Sequence, residues 1–133
     1  MTFATRRLSA APDVVAPDGS DVRILLGLSG GSMAHFTLGA GETSTAVGHR
    51  TVEEIWFVVS GRGEMWRKLG GEEEIVTLEP GVSLTIPRDT HFQFRTIGGD
   101  PLTALAITMP PWPGDGEAYG VEGAWAPTVG PTP

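Results

Sequence analysis

The sequence predicts an all-β fold of antiparallel strands closed into a sandwich or barrel. Three observations carry that expectation. Over residues 21–109 apolar side chains alternate with polar ones or form short runs, and nowhere recur at helical spacing for three turns. Turn residues interrupt them roughly every 8–12 positions, the rhythm of a β sandwich or barrel. The 19 Gly and 11 Pro among 133 residues are far above the usual share, whereas 40% apolar content is too rich for a disordered chain.

Each element follows from that rhythm. Strands are expected at 22–28 and 32–38, then, after Gly39-Ala40-Gly41, at 45–49 and 54–59. Ser60-Gly61-Arg62-Gly63 turns the chain into 63–69, and Gly70-Gly71 into 74–78. Glu79-Pro80-Gly81 precedes 83–86, followed by 91–97; Gly98-Gly99-Asp100-Pro101 precedes 102–109. These Gly and Pro residues supply the positive or fixed φ that tight turns require. Residues 1–20, with Pro12 and Pro17, read as an N-terminal segment of one edge strand and a loop. Residues 110–133 hold six Pro and five Gly and are expected to form no regular element. Their three large aromatics, Trp112, Tyr119 and Trp125, predict packing on the barrel or on a partner subunit. The organisation is thus one domain, 21–109, with a segment at either end.

Sixteen Asp and Glu against nine Lys and Arg give a net charge of −7, which argues against nucleic-acid and anionic-membrane partners. No apolar run approaches the ~20 residues that cross a bilayer, and no apolar stretch follows Arg6-Arg7, so a cytoplasmic protein is expected. Without cysteine, any metal must be held by His and carboxylate.

The chain has three histidines, His35, His49 and His91. His49 ends one predicted strand and Glu54 begins the next, so a short turn brings imidazole and carboxylate together. His91 directly follows a turn, and alternation puts His91, Gln93 and Arg95 on one face and Phe92 and Phe94 on the other. The polar set is expected to point inward, where Arg95 would neutralise an acid or bind a ligand bidentately.

The segments around these residues resemble the two motifs of the cupin superfamily, small jelly-roll β barrels. Gly41, His49, Glu54 and Gly61 fall on the first motif, with Val47 in place of its first histidine. Gly81 and Pro87 fall on the second; Asp89 replaces its glycine, His91 arrives one residue early and Arg95 stands where Asn is usual. The resemblance implies a divalent ion (Fe, Mn, Ni or Zn) inside the barrel, held here by His49, Glu54 and His91. It implies an enzyme on a small oxygenated metabolite, of oxygenase, isomerase, lyase or cyclase type, with His91, Glu54 and Arg95 as catalytic groups. Without metal, His49 or His91 could serve as general base. The alternative is a metal-free barrel that binds a sugar-like molecule without turnover. Trp56 and Val58 follow Glu54 inward as pocket wall, Trp66 could join them, Gln93 would orient the ligand, and His35 could enter the same cavity beside Val47. Ile55, Phe57 and Val59, on the face opposite Glu54, are expected to pack between sheets or to pair two copies into a homodimer.

Overall fold

In a computed structural model, described over residues 2–130, the chain folds into two antiparallel sheets facing each other. The strands are β1 (Val14–Val15), β2 (Asp21–Leu28), β3 (Gly31–Leu38), β4 (Val47–His49), β5 (Glu53–Ser60) and β6 (Gly63–Leu69). They continue with β7 (Glu72–Leu78), β8 (Ser83–Ile86), β9 (His91–Thr96), β10 (Leu102–Met109) and β11 (Ala118–Gly120). One sheet runs β1-β2-β3-β10-β5-β8, the other β11-β4-β9-β6-β7. All nine expected strands form, with ends shifted by at most two residues. No helix among the described residues is long and apolar enough to cross a membrane.

Alternation decides what each sheet buries. Trp56 and Val58 on β5, Leu84 and Ile86 on β8, and Ala104 and Ala106 on β10 turn inward. They meet Val47, Met65, Phe92 and Phe94 of the opposite sheet in one core. Phe36 stacks on Trp56 at 5.4 Å, and Phe92 and Phe94 meet that indole edge-on. On the outer side of β5, Ile55, Phe57 and Val59 remain about two-fifths exposed, with Ile107 of β10 beside Ile55. This face therefore does not pack between the sheets.

The two ends of the chain are built into the barrel. β1 is the expected edge strand, paired with β2. The segment after residue 110 corrects the expectation of no regular element, because β11 pairs with β4, Tyr119 opposite Gly48. A Cβ on Gly48 would lie 2.6 Å from the Tyr119 ring, so this pairing requires glycine there. Farther on, Gln93 Nε2 donates to Ser44 O and Trp125 O, both at 2.8 Å, and Gln93 Oε1 accepts from Trp125 N. The Arg95 guanidinium lies 4.2 Å over the Trp125 ring. The extension thus covers the outer face of the five-stranded sheet. Residues 131–133 of it lie outside the described residues.

Candidate functional site

His49 ends β4 and Glu54 lies at the start of β5, and the turn between them is fastened from outside. The buried carboxylate of Glu117 accepts from Thr51 N (2.7 Å), Val52 N (3.2 Å) and the Thr51 hydroxyl. Burial pushes the Glu117 carboxyl up, but the hydrogen bonds from Thr51 and Val52, aided by His49, outweigh it and hold the group below its ordinary range.

With the turn fixed, His49 Nδ1 stands 2.8 Å from Glu54 Oε2. The carboxylate lies off the ring N–H axis, so this is a close polar contact and not an aligned hydrogen bond. The other oxygen, Oε1, accepts from Trp56 Nε1 at 3.0 Å. Trp56 therefore lies behind the site as core and aims Glu54, instead of walling the pocket. Phe92 and Trp112 flank the imidazole edge-on at 5.2 and 5.0 Å.

His49 and Glu54 open into a cavity of about 820 Å³. That is within the range of small-molecule sites. A third ionisable group reaches it, Asp18, from the turn between β1 and β2. Its Oδ1 accepts from Ser20 N (2.9 Å) and Ser20 Oγ (2.6 Å). Burial nonetheless raises the Asp18 carboxyl above its ordinary value; the Ser20 bonds oppose this, Glu54 adds to it and His49 subtracts. Trp112 and Asp115 of the C-terminal extension also line the cavity. Sequence reasoning missed Asp18 and Glu117, because both lie in terminal segments with no strand pattern; Trp112, expected to pack on the barrel, does so at this cavity. Acids set among Pro and Gly in both segments were the signal available.

β9 reverses the expected orientation. Phe92 and Phe94 turn into the core at 1% exposure, and His91, Gln93 and Arg95 face outward. His91 sits 6.0 Å from the Tyr119 ring, and Arg95 pairs with Glu64 at 2.6 Å. Trp66, opposite Gln93, also faces outward and donates to Glu73. His35 lies outside as well, beside its cross-strand partners Arg23 and Leu105, while its neighbours Ala34 and Phe36 line the cavity. Burial, with Arg23 adding, holds the His35 imidazole below its ordinary value. Of the expected site residues, the structure brings together His49, Glu54 and Val47.

The donor set consequently does not fit the four-ligand metal site that the motif resemblance implies. Val47 occupies one ligand position and Phe92 another, both hydrocarbon. Among the described residues no group of three or more His, Asp or Glu could hold an ion. The frame of the second motif is nonetheless intact: Asp89, at the glycine position, has φ 66°, a left-handed conformation that Asp tolerates better than most side chains. From Asp89 the third residue is Phe92, which takes the inward place.

Comparison with known proteins gives a consistent picture. The family model described as Cupin domain matches residues 34–108. An uncharacterised protein of Methanocaldococcus jannaschii is 30% identical over 104 residues, 74% of this chain and 79% of its own. Among solved structures, oxalate decarboxylase of Bacillus subtilis superposes with a TM-score of 0.68 at 17% identity over 80% of this chain. The match spans only 29% of the decarboxylase. KdgF from Halomonas sp. gives a TM-score of 0.61 at 21% identity, over 74% of this chain and 85% of that one. A double-stranded β-helix domain protein of Klebsiella pneumoniae gives 0.63 at 15%, over 81% and 89%. At these identities the structural likenesses establish the fold.

Proposed function

Since the chain belongs to the cupin domain family, its barrel cavity is the place to look for chemistry, and we propose that it moves a proton on a small oxygenated molecule held there. The reaction is of isomerase or lyase type. One observation carries this reading: His49 and Glu54 are held 2.8 Å apart inside the cavity, with Trp56 fixing the second carboxylate oxygen. With Nδ1 against Glu54, Nε2 is the nitrogen left to take a proton from the ligand. As it does so, the bonding pair shifts toward the ligand oxygen and negative charge develops there. The Asp18 carboxyl, which burial favours in its protonated form, is the group suited to donate to that oxygen. Return of the proton to another carbon gives an isomer; expulsion of a leaving group gives elimination.

A general base of this kind contributes about 10²–10⁴-fold in rate. The test is incorporation of deuterium from D₂O into enolisable small ketones, followed by NMR. His49→Ala is expected to abolish exchange, and retention of exchange within a few-fold of the parent would refute the role of His49. A second reading, binding without turnover, is favoured by the apolar Val47 and Phe92 at two former ligand positions. It would give saturable binding with no exchange.

A further inference from the structure

The cavity has an unusual charge inventory. Asp18, Glu54 and Asp115 line it, yet among the described residues no Lys or Arg does. Four of the arginines are committed elsewhere. Arg95 pairs with Glu64 and Arg67 with Glu74, Arg23 donates to Ser9 O and Ala10 O, and Arg50 donates to Gly116 O. An anionic ligand would lose its water and meet carboxyl groups with no cation to pair it. Two of the carboxyls are partly engaged, the Glu54 oxygens by His49 and Trp56 and Asp18 Oδ1 by the two bonds from Ser20.

The remaining wall is hydrocarbon, from Val14, Ala16, Val22, Ile24, Met33 and Phe36. Its two hydroxyls satisfy each other, Ser32 Oγ lying 2.6 Å from Thr108 Oγ1 while also accepting from Trp112 N. They leave little polar capacity for a polyhydroxylated ligand. We infer that the cavity takes an uncharged, largely apolar molecule bearing one carbonyl or hydroxyl group, and discriminates against carboxylates, phosphates and sugars. This rests on the reading of the cavity as the place of proton transfer, because that chemistry puts the ligand oxygen beside His49 and Asp18.

Two probes of nearly equal size separate the possibilities: acetophenone and benzoate, titrated against the whole chain at neutral pH by saturation-transfer NMR. Acetophenone is expected to bind at least about tenfold more tightly than benzoate. Val47→Lys, which puts a cation into the cavity, is expected to turn the preference toward benzoate. Should that variant fail to fold, Glu54→Gln is expected to improve benzoate binding several-fold, and no change in either folded variant would overturn the inference. Benzoate binding as tightly as acetophenone would overturn it, as would no binding of acetophenone at millimolar concentration. Loss of acetophenone's methyl protons to D₂O is read in the same samples. Selective binding without exchange would sink the proton-transfer reading alone; exchange with no selectivity would sink only the ligand class.

Discussion

Replacing Glu117 by Gln tests whether the turn that joins His49 to Glu54 is held by charge. In the native chain Glu117 Oε2 accepts from two backbone amides, Thr51 N and Val52 N, and Oε1 from the Thr51 hydroxyl. The side chain is only 5% exposed, so water replaces little of this. Glutamine keeps one acceptor oxygen for the amides, and the Thr51 hydroxyl can rotate to accept from the new NH₂. The loss is then the difference between charged and neutral acceptors at two bonds, roughly 1 kcal/mol each, for a cost of about 2 kcal/mol at pH 7. The sign of the pH dependence follows from the depressed carboxyl. Its folded value lies below the ordinary 4.5, so its stabilisation is present above that pH and is lost as pH falls through the folded value. The variant has nothing to titrate there, so the gap between the two proteins should close in acid. Urea denaturation followed by tryptophan fluorescence at pH 7 and pH 3 measures both quantities. A gap below about 0.5 kcal/mol at pH 7, within the ordinary surface range, or one that stays constant into acid, would refute this account of the turn.

Asp18→Asn is expected to act in the opposite sense. Its carboxyl is raised in the folded state, so stability falls as pH climbs above the ordinary 3.8. Asn keeps an oxygen for Ser20 and removes the titration, so the variant should melt higher than the parent at neutral pH and not in acid. The double substitution Val47→His and Phe92→His restores imidazoles at both apolar motif positions. Calorimetric titration should show Zn²⁺ or Mn²⁺ binding at least about tenfold tighter than in the parent, at a core cost near 3 kcal/mol. Equal affinity would mean that the two positions do not face a common point with His49 and Glu54. His91→Ala should leave ligand binding and deuterium exchange unchanged, because His91 faces outward; a tenfold loss of either would contradict that placement. Two copies pairing through Ile55, Phe57 and Val59 would give a light-scattering mass twice the 14.0 kDa chain, reduced to one chain mass by Phe57→Lys. A parent that scatters as a single chain would remove the dimer.

The fold was legible because strand alternation and Gly or Pro punctuation are local signals, and β2 to β10 carry both. β1, two residues long, was expected only as an edge strand somewhere in residues 1–20, and β11, three residues long, owes its pairing to β4, so no local pattern announces it. At the site, His49 and Glu54 were legible from spacing alone, since a short turn leaves them few other places to go. Asp18 and Glu117 were not, because each is brought in from a chain end by long-range packing.

β9 shows how a one-residue offset decides a site. Side chains along a strand alternate with a period of two, so a histidine one position early falls on the opposite face from the ligand it resembles. The choice lay between burying Phe92 and Phe94 and burying His91, Gln93 and Arg95. Each Phe gains about 1.5–3 kcal/mol on burial, whereas an unpaired buried guanidinium costs several kcal/mol. Hydrophobic burial wins, and the strand turns its polar face out. That face carries two aromatic-binding groups and an amide too well placed to be left to water. The C-terminal extension answers them in order: Tyr119 beside His91, the Trp125 backbone on both ends of the Gln93 amide, and the Trp125 ring under Arg95. Tyr119 and Trp125, two of the three aromatics that made residues 110–133 unlike a loose tail, are thus explained by the same reversal that empties the cavity of His91.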